Sequence, residues 1–385
     1  MAVYLDNNAT TALDEKVLEV MLPYMGQPAG NPSSVHRFGR LQKEAIEQAR
    51  ESVAQLAGAR AEQVIFTSGG TESNNLLLNG FSRQMTKRGM PGRIAISAIE
   101  HMSLLEPAQH IELEVDEVAV DEAGRVNLSA VAQVMTEQTS LLSVMSANNE
   151  TGVIQDLSPL IDLATENDCF FHTDASQAAG KIPLNFIESG VHAMTLSAHK
   201  LYGPVGIGAL IIDKRLPLSK CQFGGSQEKN LRAGTENVPA IVGFGKAAEL
   251  AFSDLQERSL NARVLRDALE KGLKKFTTVT VFAQEAERLP NTVQFGVDGF
   301  AGETLLMQLD RKVIAVSSGS ACTSGKTEPS HVLKAMKVPD ALANSAIRVS
   351  FGKNNTMSDV DVFLAALNDI IEINRHSAVM MAASV

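Results

Sequence analysis

Residues 169 to 213 read CFFHTDASQAAGKIPLNFIESGVHAMTLSAHKLYGPVGIGALIID and contain three strongly apolar runs, CFFHT, AMTLSA and IGALIID. These runs mostly lack alternating polarity, which is typical of strands that are covered on both faces. Three similar runs precede them, and segments with helical periodicity separate the strands at residues 34–57, 72–88, 127–136 and 156–167. The alternation predicts an α/β fold with a mainly parallel, doubly wound sheet that binds ligands at the carboxyl ends of its strands.

The chain is long enough for two domains. Its 385 residues exceed the length of ~250 to 300 residues at which single cores stop growing. Residues 238–275 are helical in pattern and charged, which indicates a helix pair that connects two domains. Short strand-like and helical segments follow and predict a smaller α+β domain. We therefore expect a large domain at residues 13–254 and a small domain formed by residues 1–12 and 255–385.

Composition and charge argue against several kinds of partner. The net charge of −10 disfavours nucleic acid, which is bound by clustered Lys and Arg. The start, MAVYLDNNATT, shows no basic or apolar leader, and no run approaches the ~18 apolar residues of a membrane span. We expect a soluble, cytoplasmic protein. Its three cysteines, Cys169, Cys221 and Cys322, lack metal or disulfide spacing, and Cys169 is expected to be buried.

Two charged residues follow neighbouring strands of the opening segment. Asp174 ends the first run and Lys200 follows the second, 26 residues later, so both are expected at the carboxyl edge of the sheet. Taken singly, Asp174 could be a helix N-cap and Lys200 a solvated surface charge. Together they fit pyridoxal phosphate, whose enzymes use a lysine Schiff base and an acidic partner for the ring nitrogen.

Two further segments are expected at the same sheet edge. TSGGTESNN, residues 67–75, places Gly70 and Thr71 where a strand passes into a helix, and a helix N-terminus can bind phosphate through its backbone N–H groups. A turn with a helix cap is the simpler alternative. His101 follows the strand RIAIS and could stack on a cofactor ring and exchange protons near neutral pH. A purely structural histidine is the alternative there.

Two residues of the predicted small domain are also candidates for a catalytic or binding role. Cys322 lies in AVSSGSACTSGKTEPSH, a composition typical of a mobile loop on which a thiol can travel between a pocket and an acceptor. An exposed cysteine without a role is the alternative. Arg348 lies in the apolar strand AIRVSFG, where its guanidinium requires a carboxylate. That carboxylate could belong to an amino-acid substrate or to a structural salt bridge.

A series of motifs, in order along the chain, resembles one enzyme family. The motifs are YLDNNATT (4–11), NPSSVH (31–36), TSGGTESNN, EHMS, ANNETG (147–152), HTDASQAAGK (172–181), SAHKLYGPVGIG, RAGTEN (232–237), RLPNT (288–292), SSGSACTSG and AIRVSFG. The chain thus resembles the cysteine desulfurases of the NifS/IscS kind, which are fold-type I, aminotransferase-like pyridoxal-phosphate enzymes. The resemblance covers almost the whole chain.

The resemblance implies a role for each matching residue. Lys200 would hold the cofactor and move the substrate Cα proton, Asp174 would pair with the ring nitrogen, and His101 would stack on the ring. Arg348 would bind the substrate carboxylate. The other implied cofactor contacts are Gln177 and Asn149 at the phenolic oxygen, Gly70, Thr71, Ser197 and His199 at the phosphate, and Thr235 from the partner subunit of a homodimer. Asn149 would also lie near the substrate.

The activity implied by the resemblance is the removal of sulfur from L-cysteine. The Cys322 thiolate would take the sulfur as a persulfide, L-alanine would leave, and the persulfide would pass to an acceptor protein such as an iron–sulfur scaffold. The long polar segment around Cys322 resembles group I of the family. Alternatives are a selenocysteine lyase, another class-V aminotransferase, or a sulfur-transfer scaffold without turnover.

The chain departs from the family pattern at one motif. The family usually shows GGxQERGxRxGT, and this chain reads GGSQEKNLRAGT, so that Lys229 and Asn230 replace an Arg-Gly pair. Any contact that depends on that arginine is therefore in doubt. Arg232 and Thr235 match the pattern.

Overall fold

The fold is described from a computed structural model that covers residues 2–26, 30–90, 92–318 and 329–382, with the backbone alone for residues 377–382. The strands are β1 (Val3–Tyr4), β2 (Val64–Thr67), β3 (Arg93–Ser97), β4 (Glu114–Val118), β5 (Thr139–Ser143), β6 (Phe170–Asp174), β7 (Ala193–Ser197), β8 (Gly208–Ile212), β9 (Val279–Val281), β10 (Thr292–Val297), β11 (Ile314–Ala315) and β12 (Ile347–Ser350).

The helices of the described residues surround these strands. They are α1 (Glu15–Gly26), α2 (Arg37–Ala57), α3 (Gly70–Lys87), α4 (Met102–Ala108), α5 (Leu128–Val134), α6 (Ser158–Glu166), α7 (Phe186–Ser189), α8 (Val238–Ser253), α9 (Leu255–Leu273), α10 (Gly302–Arg311), α11 (His331–Ala335), α12 (Asp340–Ala343) and α13 (Met357–Ala382). No helix in this part of the chain is both long enough and apolar enough to cross a membrane. The helix pair expected at residues 238–275 corresponds to α8 and α9.

The large sheet has the order β2-β8-β7-β6-β5-β3-β4. Strand β8 is antiparallel to both of its neighbours, and the other pairs are parallel. The prediction of a mainly parallel, doubly wound sheet is therefore confirmed. Because β6 and β7 are adjacent and parallel, the residues that follow them emerge at the same edge of the sheet.

Two details of the strand prediction were wrong. β4 was missed because its sequence, EVDEV, is acidic and mostly not buried, so it lacks the apolar signal of a covered strand. One of the three apolar runs that precede the opening segment, LLSVMSA at residues 141–147, was expected to be a strand, but β5 begins and ends earlier than this run. After β5 the chain continues beside β6 and stays hydrogen-bonded to it. Val144 N donates to His172 O at 3.1 Å, and Ser146 N donates to Asp174 O at 3.0 Å.

Three hydrophobic cores lie within the described residues. The first and third pack against the large sheet, and the second combines Val3 and Leu5 with residues of α9, α13 and the antiparallel sheet β12-β10-β9. Within the second core, the rings of Phe295 and Phe363 meet edge to face at 6.2 Å, a favoured aromatic geometry. Residues 332–336 contribute to the first core although they were assigned to the small domain. The domain boundaries remain a prediction.

The segment that departs from the family motif has an unusual backbone. Glu228, Lys229 and Asn230 have φ values of 41°, 56° and 62°, in the left-handed region that favours glycine. Glu228 is held by Arg50, whose Nη1 and Nη2 each donate to its carboxylate at 2.8 Å. Lys229 Nζ donates to the carbonyls of Ala61, Glu62 and Val64. Lys229 therefore stabilises the edge strand, and Asn230, which replaces a glycine of the family motif, has a left-handed backbone.

Candidate functional site

The carboxyl edge of the large sheet opens into a cavity of about 370 Å³. Asp174 ends β6, Ser197 ends β7, and Lys200 lies in the single 3₁₀ turn that follows β7. The cavity is lined by the predicted residues Gly70, Thr71, His101, Asn149, Asp174, Gln177, Ser197, His199, Lys200 and Arg348. The structure therefore brings most of the predicted site together.

Two predicted site residues are not among those that line the cavity. Thr235 is exposed in this chain, in the segment before α8. Its predicted role is in the site of a partner subunit. Cys322 lies outside the described residues.

Asp174 lies at the base of the cavity and is largely buried. Its Oδ2 accepts a hydrogen bond from Asn74 Nδ2 at 2.8 Å, and its Oδ1 accepts one from the backbone N–H of Ser176 at 2.9 Å. Both carboxylate oxygens therefore act as hydrogen-bond acceptors. Asp174 can therefore hold a positively charged nitrogen, as the sequence predicted.

A chain of hydrogen bonds joins Asp174 to His101. Asn74 Nδ2 also donates to Ser103 Oγ at 2.8 Å, and Ser103 Oγ lies 2.8 Å from His101 Nδ1. The backbone N–H of Ser103 donates to the same Nδ1 at 3.1 Å. His101 Nδ1 is thus an acceptor, and a neutral ring carries its proton on Nε2.

The charge state of His101 follows from its surroundings. Burial lowers the pKa of His101, and the positive charges of Lys200 and His331 lower it further, while Asp174 opposes them. The imidazole is therefore neutral at pH 7. A neutral ring against the cavity can stack on an aromatic cofactor without the cost of a buried charge.

Lys200 presents its amine to the cavity beside the N-terminal segment. Nζ donates to the carbonyl oxygen of Asn8 at 2.6 Å and to that of Ala9 at 2.9 Å. The strand end and the 3₁₀ turn thus place the amine at the same edge as Asp174, where a Schiff-base lysine is needed.

The beginning of α3 forms an anion cradle. Gly69, the N-cap, has a φ of 154° and provides no side-chain cap, so the first N–H groups of α3 face the cavity without a competing side chain. A Cβ on Gly70 would lie 3.2 Å from Ser176 Oγ, and this buried hydroxyl has no hydrogen-bond partner among the described residues. Ser197 and His199 line the same region. These features fit the phosphate of pyridoxal phosphate.

His199 is neutral in this cradle. Burial, together with the charges of Lys200 and Lys181, lowers the pKa of His199 to about 4. Its Nδ1 lies 3.1 Å from Thr10 Oγ1. A neutral imidazole can still donate one hydrogen bond to a phosphate oxygen.

Arg348 reaches the cavity from β12 and is buried. Its Nη2 pairs with Asp6 Oδ1 at 2.7 Å, and its Nη1 donates to Asn149 O at 3.0 Å. The structural salt bridge considered for Arg348 is therefore present. A guanidinium has five N–H donors, so further donors remain for a substrate carboxylate, and Nε has no hydrogen-bond partner within the described part of the chain. The substrate role stays a prediction.

Sequence reasoning assigned no role to Asn8, which lies at the centre of the site. Asn8 Nδ2 donates to Asn149 O at 3.2 Å and to Thr292 Oγ1 at 2.8 Å, and its Oδ1 accepts from Asn291 at 3.0 Å. The carbonyl oxygen of Asn8 accepts from both Lys200 and Gln177. The motif YLDNNATT was noted, but no local pattern indicates contacts so distant in sequence.

Glu100 was also missed. It is fully buried, and its Oε1 accepts from Met145 N at 2.5 Å, while its Oε2 has no partner among the residues that the structure describes. Burial, and then the charge of Asp174, raise the pKa of Glu100 well above its ordinary value. Glu100 therefore holds a proton more readily than an ordinary glutamate. Cys169 is buried as expected, and burial raises the pKa of its thiol to about 12.

The segment that contains Cys322 is anchored on both sides by residues of the site. Before it, Ser317 N donates to Arg348 O at 3.2 Å, and Arg348 N donates to Ser317 O at 2.6 Å. After it, Ser330 caps α11 and its Oγ donates to Glu150 Oε2 at 2.6 Å. Glu150 is adjacent in sequence to Asn149, so both anchors lie close to cavity residues.

Comparisons with known proteins agree with this geometry. The family model of the class-V aminotransferases matches residues 3–363. The cysteine desulfurase IscS of Dictyoglomus turgidum is 43% identical over 374 residues, which cover 96% of this chain and 94% of the relative. A solved NifS-like protein has a TM-score of 0.90 and 36% identity, and covers 97% of this chain and 100% of its own. A solved structure of SspA in complex with cysteine has a TM-score of 0.80 and 29% identity, over 92% and 100% of the two chains.

Proposed function

We propose residue roles for a chain that belongs to the class-V aminotransferase family and, within it, to the pyridoxal-phosphate-dependent cysteine desulfurases. Its cofactor is pyridoxal 5′-phosphate, which when bound withdraws electrons from the substrate Cα. The observation that carries the proposed roles is the position of the Lys200 amine and the Asp174 carboxylate on adjacent strand ends of one cavity. The remaining steps are assigned to side chains around that pair.

Lys200 is the residue that binds the cofactor and then moves the proton at the substrate Cα. Its amine is held by two carbonyl oxygens, which orient it towards the cavity. Asp174 would pair with the cofactor ring nitrogen, since its oxygens are oriented by Asn74 and the Ser176 N–H. His101, neutral and half-buried, would cover the ring.

Different side chains bind the cofactor phosphate, the cofactor phenolic oxygen and the substrate carboxylate. The α3 N-terminus with Thr71, Ser197 and His199 receives the phosphate, and Gln177 with Asn149 faces the phenolic oxygen. Arg348 binds the substrate carboxylate through the N–H groups that Asp6 and Asn149 leave available. A guanidinium held on one side in this way loses little freedom when it binds a carboxylate on the other.

Cys322 is the sulfur acceptor. Its thiolate attacks the substrate sulfur, so that a sulfur–sulfur bond forms, the carbon–sulfur bond breaks, and the electron pair returns to carbon, which is protonated to give L-alanine. Cys322 lies five residues beyond Ser317, a span of at most ~18 Å for an extended chain. The anchors at Ser317 and Ser330 support a thiol within reach of the cavity.

We also propose a homodimer that delivers sulfur to an acceptor protein in the cytoplasm. Helix α1 exposes Leu18, Leu22 and Met25 at a spacing that places them on one face, and Thr235 is exposed as a residue of the partner site requires. Iron–sulfur scaffolds and other sulfur carriers are candidate acceptors. A persulfide relay needs reduced thiols, which the cytoplasm maintains.

The test is an assay of alanine and sulfide from cysteine with the wild type, Lys200→Ala and Cys322→Ser. Lys200→Ala is expected to form neither product. Cys322→Ser is expected to lose the protein-bound persulfide, read by mass spectrometry of the trapped adduct, while cofactor absorbance is retained. Equal activity in all three proteins would refute the assignment.

A further inference from the structure

Lys181 lies outside the proposed site but holds the side chain of Gln177, a residue of that site, in place. Gln177 and Lys181 follow β6 in a compact turn, in which Ala179 N donates to Ala175 O and Lys181 N to Ala178 O. Lys181 Nζ donates to the Gln177 carbonyl oxygen at 3.0 Å and to Gln177 Oε1 at 2.8 Å. On its other side, Gln177 Nε2 donates to Asn8 O at 2.9 Å. The Gln177 side chain is thus held at both ends.

The chemistry of these partners determines which way the amide faces. An ammonium has N–H donors and no acceptor, so the Gln177 atom beside Lys181 is the oxygen. A backbone carbonyl only accepts, so the atom beside Asn8 is the NH₂ group. The two contacts independently require the same orientation. Because Gln177 lines the cavity, its free N–H is the group available to a ligand there.

The two hydrogen bonds from Lys181 to Gln177 do not depend on the charge of Lys181. Burial, with the charges of Lys200 and Arg348 nearby, lowers the pKa of Lys181 to about 7. A neutral amine retains two N–H groups, which match its two acceptors on Gln177. The orientation therefore persists on both sides of neutral pH.

We propose that Lys181 is a positioning residue that holds the Gln177 amide so that an N–H donor, and not the amide oxygen, faces the phenolic oxygen of the cofactor. Without Lys181 the amide loses one of its two fixed contacts, and only the Asn8 carbonyl oxygen then opposes a rotation that would place the amide oxygen against the phenolic oxygen, where two acceptors repel each other. This inference rests on the proposed role of Gln177. A donor at this point stabilises the ionised phenolic oxygen and so lowers the pH at which the bound cofactor titrates.

The experiment compares Lys181→Met, Lys181→Arg, Gln177→Ala and the double variant Lys181→Met with Gln177→Ala. Each protein is reconstituted with pyridoxal phosphate, its visible absorbance is titrated with pH, and the cofactor dissociation constant is measured by fluorescence of the apo protein. Lys181→Met is expected to raise the titration midpoint by at least ~0.5 pH units, about threefold in the equilibrium constant, and to weaken cofactor binding several-fold. Lys181→Arg, which keeps the donors, is expected to stay close to the wild type.

The double variant separates this inference from the proposed function. If Lys181 acts through Gln177, the double variant matches Gln177→Ala alone, since the two effects are not additive. A shift in Gln177→Ala with none in Lys181→Met, or fully additive shifts, overturns the role of Lys181 and leaves Gln177 in place. No shift in Gln177→Ala overturns the role of Gln177 itself. Should Lys181→Met not fold, Lys181→Ala, which has no side-chain donor for Gln177, is expected to shift the midpoint upwards, and an unchanged midpoint in Lys181→Ala overturns the inference.

Discussion

Replacement of Glu228 by glutamine tests how residues 228–230, whose backbone is left-handed, are held in place. Glu228 is buried and accepts hydrogen bonds at 2.8 Å from Arg50 Nη1, Arg50 Nη2 and the N–H of Phe66. Burial alone would lower the pKa of Arg50, but the hydrogen bonds and charge of Glu228 raise it. Glu228→Gln removes the negative charge of the buried partner and leaves the buried guanidinium with only the exposed carboxylate of Glu47 as an ionic partner.

The magnitude follows from the loss of one partner of a buried ion pair. Such a change costs ~3 to 5 kcal/mol of the free energy of unfolding, because the remaining charge is desolvated and unpaired. The same arginine provides a matched control. Its other partner, Glu47, lies 3.3 Å from Nε with 53% of its side chain exposed, and exposed pairs contribute ~0 to 1 kcal/mol. Glu47→Gln is therefore expected to change stability little.

Urea unfolding of the cofactor-loaded enzyme, followed by circular dichroism, measures both variants. The midpoint is expected to fall markedly for Glu228→Gln and to stay near the wild-type value for Glu47→Gln. Adding Arg50→Met to Glu228→Gln should recover part of the loss, since the uncompensated charge is then absent. Equal midpoints for Glu228→Gln and Glu47→Gln would show that the buried pair does not stabilise this segment.

Three further predictions concern single residues. Asn230→Gly is expected to raise the free energy of unfolding by ~0.5 to 1 kcal/mol, because glycine adopts the left-handed conformation without strain, and an unchanged or lower thermal midpoint contradicts this. Ser103→Ala interrupts the hydrogen-bond chain to His101 and is expected to lower kcat ~10-fold with little change in KM, so steady-state kinetics with an unaltered kcat would exclude the chain from the reaction. Burial lowers the pKa of His172 to about 4, below the unfolded value of ~6.5. Because the unfolded state binds the proton more readily, the free energy of unfolding falls as pH drops from ~6.5 to ~4. His172→Gln should flatten this acid dependence in urea midpoints, and an identical pH profile argues against His172 as its source.

Much of the candidate site could be predicted from local patterns. Apolar runs placed Asp174, Ser197, His101 and Lys200 after strands, and parallel strands bring their carboxyl ends to one edge of the sheet. The N-terminus of α3 with Gly70 was visible for the same reason, as a strand followed by glycines and a helix. β4 was missed because its acidic sequence lacks the apolar signal on which strand prediction depends.

The sequence by itself determined the fold class, the cofactor and the residues at each strand end, because these depend on short-range periodicity and on residue chemistry. Only the tertiary structure decided how those residues are held. Lys200 bonds to Asn8 across 192 positions, and Arg348 pairs with Asp6 across 342. The orientation of Gln177 depends on Asn8 as much as on Lys181. Such contacts arise where the N-terminal segment, which joins the second core through Val3 and Leu5, continues to the cavity. No local pattern encodes which distant groups packing will bring within hydrogen-bond distance.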